Sequence, residues 1–162
     1  MWEKTLLLLL LIVANGAPIL VAWRLGPRWG WPLDAGLVLR DGHRLLGESA
    51  TVRGLVAAVV ATALLAWVLG LGIGLGALIG FLALAGDAFS SFIKRRLGLP
   101  PGAKATGLDQ VPEALLPLLV VAGPLGLHLP WLDLILLVIA FMLFDMAVSG
   151  PLYRLHLRRQ PH

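Results

Sequence analysis

Asp87, Ser91 and Lys94 fall on one face of a helix at ~100° per residue, with Ser90 at its edge, inside the run Gly86-Asp87-Ala88-Phe89-Ser90-Ser91-Phe92-Ile93-Lys94-Arg95-Arg96. A carboxylate buried in hydrocarbon costs at least ~2.5 kcal/mol, so an aspartate at this depth points to function. Asp87 and Asp109, the latter just before the next apolar run, form a carboxylate pair suited to a divalent cation, since Mg²⁺ takes one or two carboxylates together with phosphate oxygens and water. The alternatives stand beside these readings: a salt bridge from Asp87 to Lys94 or Arg53, and a simple helix N-cap for Asp109. Lys94-Arg95-Arg96 serves equally as an orientation signal or as a counter-charge for a polyphosphate. Thr51 and Arg53 have the donors for phosphate or base contacts, and Glu48 or Ser49 beside them could touch nucleotide or metal. Asn15, one turn before Pro18, predicts a broken first helix whose freed carbonyl it could bond. Asp145 and Ser149 share a face that could join the cavity, although an arginine partner is the simpler reading for Asp145. His43, His128, His156 and His162 have no metal-ligand spacing, which argues against zinc.

These groups need apolar helices to hold them. With 59% hydrophobic and 14% charged residues among 162, and a mean hydropathy of +0.89, the chain reads as an integral membrane protein. Residues 54 to 93 carry only Asp87 as a charge, a helical path of ~60 Å against a hydrocarbon core of ~30 Å. Two spans therefore fit there, turning at Leu69-Gly70-Leu71-Gly72-Ile73-Gly74. The expectation is an all-α membrane protein of one domain, with five transmembrane helices at roughly 5–23, 54–69, 73–93, 111–127 and 131–149 and a polar cavity open to the cytoplasm. His128-Leu129-Pro130 links the last two. Five crossings put Arg24, Arg28, Arg40, Arg44, Arg53, Lys94, Arg95, Arg96, Lys104, Arg154, Arg158 and Arg159 on one side and Lys4 on the other, accounting for all 13 basic residues. Such asymmetry predicts an outside N-terminus and a cytoplasmic C-terminus.

The leucine run after Lys4 continues past Asn15-Gly16-Ala17-Pro18 without an A-x-A-like site, so it reads as a span and not a signal peptide. The net charge of +4 follows from topology and implies no nucleic-acid partner, and nothing in the sequence points to a protein partner. The absence of cysteine excludes disulfides and thiolate metal sites; with asparagine only at Asn15 and glutamine only at Gln110 and Gln160, it also hints at a hot environment. Two loops, 24–53 and 94–110, hold most of the remaining polar content. On the third span, Gly76, Gly80 and Ala83 make a small-residue stripe above Asp87, for close helix packing or for a ligand.

The pattern resembles the CDP-archaeol synthase family, membrane cytidylyltransferases distantly related to phosphatidate cytidylyltransferases. The matching segments are Asp41-Gly42-His43-Arg44-Leu45-Leu46-Gly47, Thr51 with Arg53-Gly54, Gly86-Asp87 through Ser91-Phe92-Ile93-Lys94-Arg95-Arg96, Pro101-Gly102 and Leu108-Asp109-Gln110, with Asn15 and Pro18 also in place. The resemblance implies Mg²⁺-dependent transfer of CMP from CTP to 2,3-di-O-geranylgeranylglyceryl phosphate at the cytoplasmic face of the cell membrane, the lipid chains arriving laterally between helices. It further implies that Asp87 and Asp109 hold the metal, that Lys94 acts with them, and that Asn15, Thr51, Arg53, Ser90, Ser91, Arg95, Arg96 and Gln110 bind CTP or lipid phosphate. Ala50 departs from the lysine usual before the threonine, and a cation missing there predicts weaker CTP binding. An ester-linked phosphatidate acceptor is the near alternative. A small transporter with Asp87, Asp145 and Asn15 along an ion path is the distant one. The several-aspartate motif of the CDP-alcohol phosphotransferases is absent.

Overall fold

The charge-free stretch between Arg53 and Asp87 folds as two antiparallel helices whose reversal depends on Gly70 and Gly72, at φ 74° and 90°, conformations that a side chain would strain. In the computed structural model, which describes residues 2–100, 103, 105–122 and 129–154 with side chains to 151, the helices are α1 (Trp2–Leu25), α2 (Val52–Val68), α3 (Ile73–Arg96), α4 (Gln110–Ala122) and α5 (Trp131–Arg154). The expected continuation of α4 to 127, together with Pro101-Gly102, Lys104, His128, the Arg154 side chain, His156, Arg158, Arg159, Gln160 and His162, lies outside the described residues. α1, α3 and α5 are long and apolar enough to cross a membrane, while α2 and α4 are shorter apolar helices.

α3 is central, packing against α2 and α4, and α1 packs on α2. Apolar contact drives little association in lipid, so close approach has to supply the packing. A Cβ on Gly76 would stand 2.3 Å from the Thr62 carbonyl oxygen, one on Gly80 2.6 Å from that of Ala58, and one on Gly86 2.3 Å from that of Pro112. The upper stripe is thus helix packing against α2, and Gly86 sets the register of α3 on α4. Gly86→Ala is expected to lower stability by ~1–3 kcal/mol, since the interfering atoms are backbone and must move together. Thermal unfolding in detergent checks this; an unchanged midpoint would contradict the assigned contact.

The core gathers Leu7, Leu10, Leu11, Ile79, Leu118, Val121 and Phe141. Outward-facing Val60, Phe81, Ile135 and Leu143 are at least half exposed, the arrangement of a protein solvated by lipid. All six tryptophans are exposed as well: Trp2, Trp67 and Trp131 at one end of the bundle, Trp23, Trp29 and Trp31 at the other. Amphipathic rings in two such girdles mark the membrane interfaces. At the first end Lys4 pairs with Asp133 at 2.7 Å, and the described cations of both loops gather at the second.

One expectation is corrected here. α1 runs unbroken through Pro18, and Asn15 turns to Asp145 on α5. A single missing N–H is tolerated in a membrane helix when its neighbours re-satisfy the backbone.

Candidate active site

A cleft of about 300 Å³ lies between the ends of α1, α2, α3 and α4 nearest the loops, and Asp87 is on its wall. Ala14, Gly54 and Ala83 are among its small lining residues. The polar lining comes from Asn15 on α1, Glu48, Ser49, Thr51 and Arg53 around the start of α2, Asp87 on α3 and Glu113 on α4. Thr51 caps α2, its Oγ1 accepting from Gly54 N at 3.2 Å. Arg53 Nη1 donates to the carbonyls of Gly26 and Arg28, both at 2.6 Å, binding the chain just beyond α1 to the start of α2. Its Nε is buried without a hydrogen-bond partner among the described residues, a donor available to an anion on this wall.

The loop over the cleft is built on Asp34. Its Oδ1 accepts from Arg44 Nη2 at 2.7 Å and Gly36 N at 3.0 Å, and its Oδ2 from Leu46 N and Gly47 N, both at 3.1 Å. Burial pushes the Asp34 carboxyl up, but the Arg44 guanidinium and the three backbone donors outweigh it and hold the group well below the usual carboxylate range. A depressed folded-state pKa means stability fully present above the unfolded value of ~4 and lost as pH falls towards the folded one. The loop is therefore expected to keep its protease resistance from pH 7 to 5 and to lose it only below about pH 4; loss already at pH 6 would contradict this assignment. Arg96 fastens the loop to α3 through the Asp41 carboxylate and the Arg44 carbonyl, the latter at 2.6 Å, while stacking on Phe92 with its guanidinium 5.2 Å from the ring centre. The backbone N–H of His43 lowers the exposed Asp41 carboxyl, and Arg96 adds to that.

The remaining anticipated residues distribute as follows. Lys94 closes on Asp109, Nζ to Oδ1 at 2.6 Å, a charge contact without the angle of a directed hydrogen bond. Asp109 Oδ2 accepts from Ala105 N at 3.0 Å, so the carboxylate turns back onto its own loop. Asp109 is not on the cleft wall with Asp87; the acids that share it are Glu48 and Glu113. Ser90 and Ser91 are buried in α3, and Ser90 Oγ donates to the Asp87 carbonyl at 2.9 Å. Arg95 is buried and donates to the Pro100 carbonyl at 3.1 Å, and Arg96 is taken up by the loop. Gln110 Nε2 donates to Asp145 Oδ2 at 3.2 Å, and Asn15 Nδ2 to Asp145 Oδ1 at 3.4 Å. Two amides thus donate to Asp145 among the described residues. Ala50 is buried between Ser49 and Thr51, both on the cleft wall.

Glu113 is the functional candidate that sequence reasoning passed over. It is the one acid of α4 and 9% exposed. The rule that singles out Asp87, an ionisable side chain inside an apolar span, would have found it. Among the described residues no cluster of three or more His, Cys, Asp or Glu side chains forms a metal cage.

A family model described as "CarS-like: CDP-archaeol synthase" matches residues 3–162. The chain is 34% identical over 165 residues to a CDP-archaeol synthase of Aeropyrum pernix, covering 98% of this chain and 91% of that protein. With the one of Pyrobaculum calidifontis it is 37% identical over 154 residues, covering 92% and 90%. The one of Methanopyrus kandleri is 48% identical over 92 residues, a match spanning about half the length of each chain. A solved structure described as "Structural insight into an intramembrane enzyme for archaeal membrane lipids biosynthesis" superposes with a TM-score of 0.74 at 33% identity, covering 92% of this chain and 94% of that one. The family match and the fold likeness both run along nearly the whole sequence, and the chain belongs to the CDP-archaeol synthase family.

Proposed function

We propose that the protein transfers CMP from CTP to the phosphate of an isoprenoid glyceryl ether lipid, 2,3-di-O-geranylgeranylglyceryl phosphate, releasing pyrophosphate. The observation that carries this reading is Asp87 on the wall of a cleft at the loop end of the bundle, a wall to which Thr51 and Arg53 also belong. In the reaction a lipid phosphate oxygen bonds to the α-phosphorus of CTP as the α–β bridging P–O bond breaks. The nucleophile is already anionic at neutral pH, so the site needs no strong base; it needs in-line placement and compensation of charge on the leaving group.

The donor set fits Mg²⁺. All the candidate ligands are carboxylate oxygens, and few of them are required, because this ion is commonly held by one or two carboxylates with the rest of its shell from phosphates and water. Asp87 would hold it from the cleft wall, and Asp109 would join it only on giving up its contacts to Lys94 and Ala105; when bound, the ion would supply charge neutralisation on the triphosphate. Thr51 and Arg53 bind CTP phosphates at the start of α2, where helix N–H groups also favour anions. Lys94, two turns or ~10 Å from Asp87 on the same face, exchanges its resting contact with Asp109 for a phosphate oxygen. Asn15, Ser90, Ser91, Arg95, Arg96 and Gln110 shape the cleft and fasten the loops around it. CTP arrives from the cytoplasm, where the loops and the C-terminus lie, five spans leaving the N-terminus outside.

Purified protein in lipid nanodiscs, given labelled CTP or ATP with either the ether lipid phosphate or an ester phosphatidate, is expected to form the CDP-lipid from CTP and the ether lipid only with Mg²⁺. No nucleotidyl-lipid from any combination would overturn the reading. Ion flux from the same protein in liposomes would then favour a transporter.

A further inference from the structure

We infer that the groove between α1 and α5 seats the head-proximal part of one hydrocarbon chain of the lipid phosphate, an inference that rests on the acceptor class proposed above. This groove encloses about 210 Å³, and its walls are apolar side chains such as Ile12, Leu20, Phe141, Phe144 and Val148, with Asn15 and Asp145 as the polar part. Asn15 and Ile19 line both the groove and the cleft that holds Asp87, so the two hollows share a wall. Leu20 and Phe144 are 54% and 41% exposed, which leaves the groove open towards the surrounding bilayer. A ligand that fits both hollows has an anionic head and a greasy chain joined close together. A partner helix, ~10 Å across with its side chains, is too wide for this volume. The volume is below the ~300–1,000 Å³ of typical ligand pockets, so it suits a chain segment and not a whole lipid tail.

Gly16 supplies the independent observation. Glycine inside a helix is less stable than alanine, and Gly76, Gly80 and Gly86 offset that through backbone contacts that exclude any side chain. At Gly16, as at Gly74 and Gly150, an added Cβ would meet no described atom within 4 Å, and of these three Gly16 is the one that lines the groove. The space is kept clear where a chain beside the shared wall would run.

Photo-crosslinking of the full chain in nanodiscs tests the assignment, with a diprenyl glyceryl phosphate that carries a diazirine on the first isoprene unit. Labelled peptides are expected from α1 and α5 around Ile12, Phe144 and Val148, competed by the unlabelled lipid phosphate. Gly16→Leu, whose Cβ would meet no described atom within 4 Å and whose remaining side chain would fill the groove from α1, is expected to cut that labelling at least fivefold and to raise KM for the prenyl lipid about tenfold, with CTP affinity reporting an intact bundle. Competed labelling confined to other helices, labelling that excess lipid phosphate does not compete, or full labelling of Gly16→Leu would each overturn the groove assignment. Competed α1–α5 labelling in a protein that forms no CDP-lipid would instead uphold the groove and defeat the transferase reading.

Discussion

Asp87→Asn is expected to reduce CDP-lipid formation by about 10³-fold and to leave the bundle folded, the scale of loss seen when a preorganised charge-stabilising group is removed from an active site. Asparagine keeps the shape of the side chain and removes its charge. A neutral amide is also cheaper to hold at this depth than a carboxylate, so the thermal midpoint should stay level or rise. That combination separates a functional carboxylate from a structural one: an aspartate kept for an ion pair would lower stability when neutralised, because its partner would be left buried and alone. Lys94 contacts Asp109, and Arg53 is bound to the carbonyls of Gly26 and Arg28. Near-normal turnover by the folded Asp87→Asn protein would remove the metal role.

Exchanging the charges of the ion pair gives the second large effect. Lys94→Met alone is expected to lower turnover about 10²-fold through lost compensation on the leaving group, and to destabilise the fold by leaving Asp109 unpaired. The double variant Lys94→Asp with Asp109→Lys rebuilds an ion pair between the end of α3 and the turn that leads into α4, so the thermal midpoint should recover. Turnover should not recover, because the cation would then extend from the α4 side and the carboxylate from the α3 side. A swap that restored both midpoint and rate would reduce the pair to a structural tie.

The helices were legible because lipid imposes a simple rule: few charges over a span, and cations gathered at one end. Asp87 was legible for the same reason, as an expensive group with no local excuse. Glu113 was equally expensive but sat one residue after Pro112, near the presumed start of a span, where a charge needs less explanation. What the sequence could not convey was the pairing of long side chains. Arg96 meets Asp41, Arg53 meets Gly26 and Arg28, and Asp145 meets Asn15 and Gln110, each contact joining segments far apart in the chain. Those choices follow from interhelical register, fixed by contacts such as Gly86 against Pro112, and from the path of the loop around Asp34. Periodicity within one helix carries neither.

The tryptophan girdles bear on the medium in which this protein can work. Trp2 and Trp23 bound α1, and the 21 steps between them rise ~32 Å, close to the thickness of an ordinary hydrocarbon slab. A thinner sheet would force α1 to tilt against α2 and α5, and both the Asp87 cleft and the Gly16 groove have walls on α1. The protein is in that sense a gauge: were the bilayer to thin, both hollows would be disturbed together.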